Sequence, residues 1–195
     1  MLALRESYCE RDHARLVVFA CEPATPPQTG ADFKRRFGFC EEDVVAMLGA
    51  AAADCAARLS RKIRVVFKLH PIQVAHGMRP TAASHDERYL TFSHFDGDRL
   101  QIVAAADVVV GMRSMLLYEA ALIGRPVISV QPQRIESCDL TDSRAGIEVV
   151  GSEAALRRAL YEALIEPQAA GEMPGTLRHA AHEYAQRFAE RLELV

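Results

Sequence analysis

The amino-acid sequence predicts an α/β fold, a Rossmann-like doubly wound parallel sheet flanked by helices. Two observations predict it. Short apolar runs rich in β-branched residues recur along the chain without polar/apolar alternation, as in strands that are buried on both faces. Helical segments separate these runs, and strands that alternate with helices form parallel sheets through right-handed crossovers. A single Rossmann-like domain is therefore expected over residues 1–195, with its core at about residues 16–165.

Five apolar runs are predicted as strands, and the segments between them as helices or long loops. The predicted strands are residues 16–21, 65–69, 107–110, 126–130 and 147–150. The predicted helices are residues 41–59, 98–106, 114–123, 152–165 and a C-terminal helix at 176–192. Residues 22–38 and 71–88 are predicted as long loops that follow strands. Such loops lie at the carboxyl edge of the sheet, where open α/β sheets bind ligands.

Composition excludes several classes of protein. Half of the 195 residues are hydrophobic, which is enough for a full core, and the formal net charge of −3 argues against a general nucleic-acid binder. No apolar run is long enough to span a membrane, and the polar start does not resemble a secretory signal. The five cysteines are scattered and form no C-x-x-C pair. We therefore expect reduced thiols in the cytoplasm, no membrane span, and neither a metal nor a cofactor.

Several common catalytic motifs are absent from the sequence. It contains no Walker A loop, no G-x-G-x-x-G fingerprint and no G-x-S-x-G elbow. P-loop NTPases, typical NAD enzymes and α/β-hydrolases are therefore disfavoured. The seven histidines are too dispersed to suggest a metal cluster.

The stretch K-L-H-P, residues 68–71, follows the second predicted strand. Pro71 ends the strand and restricts His70 to extended backbone geometry, which holds the imidazole at the edge of the sheet. There His70 could donate a hydrogen bond to a phosphate or act as an acid or base near neutral pH. The alternative is a strand-terminal histidine that only hydrogen-bonds the backbone.

The turn after the strand at residues 107–110 combines a cation, a hydroxyl and a carboxylate. Gly111 permits close backbone approach, Arg113 adds charge, and Ser114 could cap the following helix or bind an oxyanion. Glu119 lies about one and a half turns further on, where it could accept hydrogen bonds from sugar or ribose hydroxyls. The alternative is an ordinary N-cap serine with a surface glutamate.

A polar loop, residues 131–144, follows the strand at 126–130. It lies at the same edge of the sheet, and in it Arg134 and Glu136 could contact a ligand.

Together these segments resemble a known family. K-L-H-P after a strand is followed by A-A-D-V-V-V-G-x-R-S-x-x-x-Y-E-A-A-L-I-G-R-P-V-I-S-V, a polar loop and I-E-V-V-G-S. This order resembles the C-terminal nucleotide-sugar-binding half of GT-B glycosyltransferases. The nearest groups are the UDP-N-acetylglucosamine 2-epimerases, the glycerophosphotransferases of teichoic acid synthesis and the bacterial capsule sialyltransferases. The turn here reads Arg113-Ser114-Met115, where the epimerases have Ser-Gly-Gly and the sialyltransferases have paired serines.

The resemblance implies a function and a set of site residues. It implies binding of a UDP-, CMP- or GDP-linked sugar by a glycosyltransferase or epimerase of surface polysaccharide or glycoconjugate synthesis. The acceptor half would be missing or on another chain, as a partner subunit, so we do not expect turnover by this chain alone. The alternative is a non-catalytic module that binds a nucleotide sugar or a protein. The implied catalytic residue is His70, on the phosphate side, and the implied donor-binding residues are Gly111, Arg113, Ser114, Met115, Glu119 and Arg134.

Overall fold

A computed structural model describes residues 14–23, 30–82, 86–136 and 146–165. In these residues six strands form one parallel sheet in the order β3-β2-β1-β4-β5-β6. The strands are β1 Arg15–Ala20, β2 Ile63–Lys68, β3 Leu90–Phe95, β4 Val108–Gly111, β5 Val127–Val130 and β6 Ile147–Val150. The helices are α1 Gly30–Phe37, α2 Glu41–Leu59, α3 Pro71–Ala75, α4 Arg99–Ala105, α5 Met115–Leu122 and α6 Glu153–Ile165.

Helices cover both faces of the sheet, which confirms the predicted doubly wound α/β class. Along β1, Val17 and Phe19 pack into the core formed with α2 and α6. Leu16 and Val18 pack into a second core formed with α4 and α5. Successive side chains point to opposite faces of a strand, so a strand between two helical layers needs apolar residues at every position. This is why the central strands carry unbroken apolar runs.

The predicted helix at residues 41–59 has the same bounds as α2, and the five predicted strands all form, with ends within two residues. Strand β3, L-T-F-S-H-F, was not predicted. It lies at the edge of the sheet, and most of its side chains are only partly buried. An edge strand therefore tolerates polar residues such as Thr91 and Ser93, and it carries no continuous apolar run.

The prediction of long loops at residues 22–38 and 71–88 was wrong in part. Residues 30–37 form α1, whose Phe33 and Phe37 are one turn apart with ring centroids 4.4 Å from each other. Residues 71–75 form α3, which begins at Pro71 in the first helical position, where its missing N–H has no cost. The remainder of both loops lies partly outside the described residues, as does the predicted helix at 176–192.

The strand order reverses at β1, since β2 and β3 extend to one side and β4, β5 and β6 to the other. The order is that of the Rossmann fold, in which the chain segments leaving the strands on either side of the reversal diverge and open a crevice. The segments after β1 and after β4 border this crevice. Within the described residues no helix is long and apolar enough to cross a bilayer.

Candidate functional site

The segments that follow β1 and β4 are joined by a hydrogen bond across the reversal of strand order. Ala20 and Gly111, the last residues of these strands, lie side by side in the sheet. Two residues beyond Ala20, the carboxylate of Glu22 accepts a hydrogen bond from the backbone N–H of Arg113 at 2.8 Å. This contact places the turn before α5 directly at the crevice.

The turn leaves two backbone donors at the start of α5. The Ser114 hydroxyl oxygen caps the helix by accepting from the backbone N–H of Leu116 at 3.2 Å, and its backbone is extended at φ −63° and ψ 140°. The amides of Ser114 and Met115 donate to no other residue within the described ranges. Unpaired N–H groups at a helix start, together with the helix dipole, attract anions. The predicted N-cap is present, and the geometry suits an oxyanion.

Arg113 is held beside this turn by α1. Its guanidinium lies over the ring of Phe37, with 4.0 Å from Cζ to the ring centroid. The Arg113 Nε atom is buried and has no hydrogen-bond partner among the described residues. The stacking restricts a long cationic side chain to one position next to the helix start. Phe37 was not singled out from the sequence, because residues 22–38 were predicted as loop.

Gly111 permits close packing inside the domain. A Cβ atom at this position would lie 3.0 Å from Cδ2 of Leu117 and 3.2 Å from both Cβ and O of Ala20. The end of β4 is therefore pressed against β1 and the first turn of α5. This glycine sets where the turn lies relative to the sheet, and the contacts that it makes are with protein.

His70 lies at the end of the segment after β2 and is exposed. Its backbone is extended at φ −70° and ψ 145°, as predicted from the following proline, and its Nδ1 accepts from the backbone N–H of Ile72 at 3.3 Å. The neutral ring consequently carries its proton on Nε2, which has no partner among the described residues. Partial desolvation of the ring, with the nearby charge of Lys68, lowers the pKa of His70. The imidazole thus combines a capping role with one outward N–H donor at neutral pH.

A chain of buried polar groups links the segments at this edge. The Glu41 carboxylate accepts from the Gln73 side-chain amide at 2.7 Å and from the backbone N–H of Glu22. The side-chain oxygen of Gln73 accepts from the backbone N–H of His70 at 2.9 Å. Burial raises the pKa of Glu41 to about 7, and burial also raises the pKa of Glu22 against the opposing hydrogen bond from Arg113. Perturbed groups that cluster at a cleft are typical of functional sites.

Glu22, Glu41 and Gln73 were not identified from the sequence. A partial signal existed, since Glu22 is the first charged residue after a fully apolar run and Glu41 opens the Ala-rich helix. Nothing in the sequence indicates that the Glu41 carboxylate meets the backbone of Glu22, because that contact depends on how α2 packs on the sheet.

Glu119 lies on α5 and pairs with Arg99 at the start of α4. Its two carboxylate oxygens accept from Nε and Nη2 of Arg99 at 2.8 and 3.0 Å. Each oxygen retains a further lone pair, so the pair can still accept from a ligand hydroxyl. Arg99 was not identified from the sequence.

The segment after β5 is tied to the segment after β4. The buried Ser129 hydroxyl donates to the carbonyl of Met112, and the Gln131 side-chain amide donates to Ser129 Oγ at 2.7 Å. Arg134 donates to the side-chain oxygen of Gln131 at 3.4 Å. Arg134 therefore lies on the neighbouring segment of the same edge, as predicted, and Glu136 from this segment pairs with Arg36 of α1 at 3.6 Å.

The structure thus brings Arg113, Ser114 and Met115 together at one turn and connects Arg134 to it through Gln131. His70 follows β2 and is separated from that turn by β1. No group of three metal-ligating side chains occurs in the described parts of the chain. Cys21, Cys40 and Cys55 are free thiols.

Comparisons with known proteins concern the fold. No family model matches the chain, and no curated protein matches its sequence. Among solved structures it is similar to the glycotransferase of kitacinnamycin, at 16% identity and a TM-score of 0.49 over 92% of this chain and 43% of that one. It is also similar to the UDP-GlcNAc 2-epimerase from Neisseria meningitidis bound to UDP-GlcNAc, at 11% identity and a TM-score of 0.46 over 95% of this chain and 48% of that one.

These two neighbours are a glycosyltransferase and an epimerase. The chain spans less than half the length of either structure. Identities this low assign no role to any residue of this chain.

Proposed function

We propose that this chain is the nucleotide-sugar-binding half of a GT-B-type glycosyltransferase or epimerase, working in the cytoplasm in surface polysaccharide or glycoconjugate synthesis. An acceptor-binding half would come from another segment or another chain, so this domain alone would bind a donor without turning it over. The observation that carries the proposal is the pair of backbone amides, Ser114 and Met115, that have no partner among the described residues and lie at the start of α5 beside the reversal of strand order.

The phosphate of the donor would lie on these two amides. The Ser114 hydroxyl can donate a third hydrogen bond while its oxygen caps the helix, and Arg113 stands alongside on Phe37. Glu22 already occupies the amide of Arg113, so the phosphate is directed one residue further along, to the helix start. Donors fixed in advance at the place where negative charge develops stabilise a departing nucleotide phosphate.

His70 would act from the other side of β1. Adjacent strands are about 4.8 Å apart, so the ends of β2 and β4 are about 10 Å apart, a span that suits a nucleotide diphosphate and its sugar. The lowered pKa keeps the imidazole neutral near pH 7, with Nε2–H as the donor. In this position His70 would hydrogen-bond a phosphate oxygen or the group that leaves with it.

Glu119 and Arg134 would bind the rest of the nucleotide. The Glu119 carboxylate, oriented by Arg99, has lone pairs left for ribose hydroxyls. Arg134 is on the segment after β5, next to the turn through Gln131, and would contact the donor from that side.

The decisive experiment removes one amide without disturbing the helix. Met115 is the first helical residue, where proline is favoured, and Ser114 already has the extended backbone that a following proline requires. Met115→Pro therefore deletes one N–H and nothing else in the backbone, and Met115→Ala is the matched control. A hydrogen bond to a charged group contributes about 1.5–3 kcal/mol, so affinity should fall roughly 10- to 150-fold in the proline variant.

The assay is calorimetric titration of the protein with UDP-, CMP- and GDP-linked sugars, after a thermal-shift screen. We expect one nucleotide class to bind the wild type and Met115→Ala with similar Kd values and Met115→Pro much more weakly. Equal affinity of both variants would refute the phosphate assignment. No binding of any nucleotide sugar to the folded protein would refute the proposed function. Turnover by the chain alone would refute the proposal that it needs a separate acceptor-binding half.

A further inference from the structure

We infer that Lys68 binds an oxyanion of the ligand, either a phosphate oxygen or a sugar carboxylate, and so adds a second anion-binding group to the site. This inference rests on the proposed function, because it places a further contact for the same ligand.

The position of Lys68 brings its charge to the carboxyl edge of the sheet. It is the last residue of β2 and lies beside Ala20 of β1, which lies beside Gly111 of β4. Residues aligned in this way point to the same face of a parallel sheet. Val66 and Val18, two residues before Lys68 and Ala20, pack into the core formed with α4 and α5, so Lys68 points to that face. Only an alanine therefore separates Lys68 from the strand that leads to Arg113 and Ser114.

The Lys68 ammonium is buried, and most of its hydrogen-bonding capacity is unused among the described residues. The residue is only 9% exposed, and of its three N–H donors one reaches the carbonyl of Leu69 at 2.8 Å. No carboxylate forms an ion pair with it within the described ranges. Burial lowers its pKa, while the charges of Asp96 and Asp98 oppose that effect without contact.

A buried ammonium without a counter-ion is costly, and evolution usually supplies either a paired acid or an apolar replacement. Asp98, which could serve as the acid, instead caps α4 by accepting from the amides of Leu100 and Gln101. The Leu69 carbonyl turns the ammonium toward the end of the strand, next to His70. An anionic ligand at this edge would provide the missing counter-charge.

The test compares Lys68→Met with Lys62→Met. Methionine keeps the length and removes the charge, and Lys62, which immediately precedes β2, gives the same charge change at the opposite end of the strand. Three probes are titrated into each protein: inorganic pyrophosphate, UDP-glucose and UDP-glucuronic acid, which differs from UDP-glucose by a carboxylate. Circular dichroism and the Tm establish that each variant is folded, and Lys68→Arg tests whether restoring a cation restores binding.

We expect Lys68→Met to lower the affinity for pyrophosphate and for both nucleotide sugars by about 10-fold or more. The affinities of Lys62→Met should stay within about twofold of wild type. A loss of affinity confined to UDP-glucuronic acid would assign Lys68 to a sugar carboxylate and would also support the inference. Unchanged affinities in Lys68→Met overturn it while leaving the proposed function intact. Lys68-dependent binding of pyrophosphate alone would retain the anion site and reject UDP-linked sugars as its ligand. Absence of binding by all three probes to the wild type overturns the inference.

Discussion

The buried carboxylate of Glu41 should make the stability of this protein fall as the pH rises from acidic values toward neutrality. The unfolded chain ionises this group near 4.5, whereas burial raises the pKa in the folded protein to about 7. Between these values the folded state holds a proton that the unfolded state has released. The sign is therefore fixed: this contribution is greatest at low pH and is lost as pH rises from about 4.5 to about 7.

The size of the effect follows from the same two values. One pKa unit corresponds to about 1.4 kcal/mol, so the full shift is worth about 3 kcal/mol. Between about pH 5 and about pH 8.5, where most but not all of the titration takes place, the expected loss of unfolding free energy is about 2.5 kcal/mol. For a protein of this size that is a large part of the total stability.

Glu41→Gln isolates this contribution. The substitution removes the titration but keeps an acceptor for the amide of Gln73 or the backbone of Glu22, so it adds an offset that does not depend on pH. Glu22 and His70, whose pKa values are also shifted, are present in both proteins and largely cancel in the difference. Glu162→Gln, which removes an exposed carboxylate on α6, is the matched control.

The assay is urea unfolding followed by far-ultraviolet circular dichroism at several pH values from about 5 to about 8.5. The difference between wild type and Glu41→Gln should change by about 2.5 kcal/mol across this range, while Glu162→Gln keeps the wild-type profile. A difference that stays level within about 0.5 kcal/mol would show that Glu41 is not held in the described buried network, and the reasoning would be refuted.

Three further outcomes follow from the turn before α5 and its surroundings. Gly111→Ala should cost about 1–3 kcal/mol of stability, measured by urea unfolding, because its Cβ would press on Leu117 and the backbone of β1; a neutral result would contradict the close packing. Ser114→Ala should cost about 1 kcal/mol through loss of the N-cap, with Ser114→Gly costing only a few tenths, and equal losses would argue against capping. A double-mutant cycle on Arg99 and Glu119 should give a coupling below about 1 kcal/mol in the absence of ligand, since Arg99 is largely exposed; a much larger coupling would mean that the pair is structural.

The amino-acid sequence by itself determined the class of the fold and most of its elements. Strands between two helical layers must be apolar at every position, so the central strands are visible as unbroken runs, and α2 is visible from its composition and charged ends. The turn at residues 111–115 was also visible, because a glycine, a cation and a capping hydroxyl follow a buried strand. The edge strand β3 and helix α1 were not visible in the sequence, because half-buried elements need only a few apolar contacts.

Only the tertiary structure decided which side chains meet at the edge of the sheet. Glu22 reaches the amide of Arg113 across 91 positions of sequence, and Glu41 reaches Gln73 across 32. Lys68 looked like part of a short motif with His70. Its burial, with no paired acid in the part of the chain that the structure describes, depends on the strand order that sets β1 between β2 and β4. Local sequence dictates backbone conformation through short-range sterics and periodicity. The pKa of a carboxylate or the missing counter-charge of an ammonium depends instead on distant segments, which meet only when the chain folds.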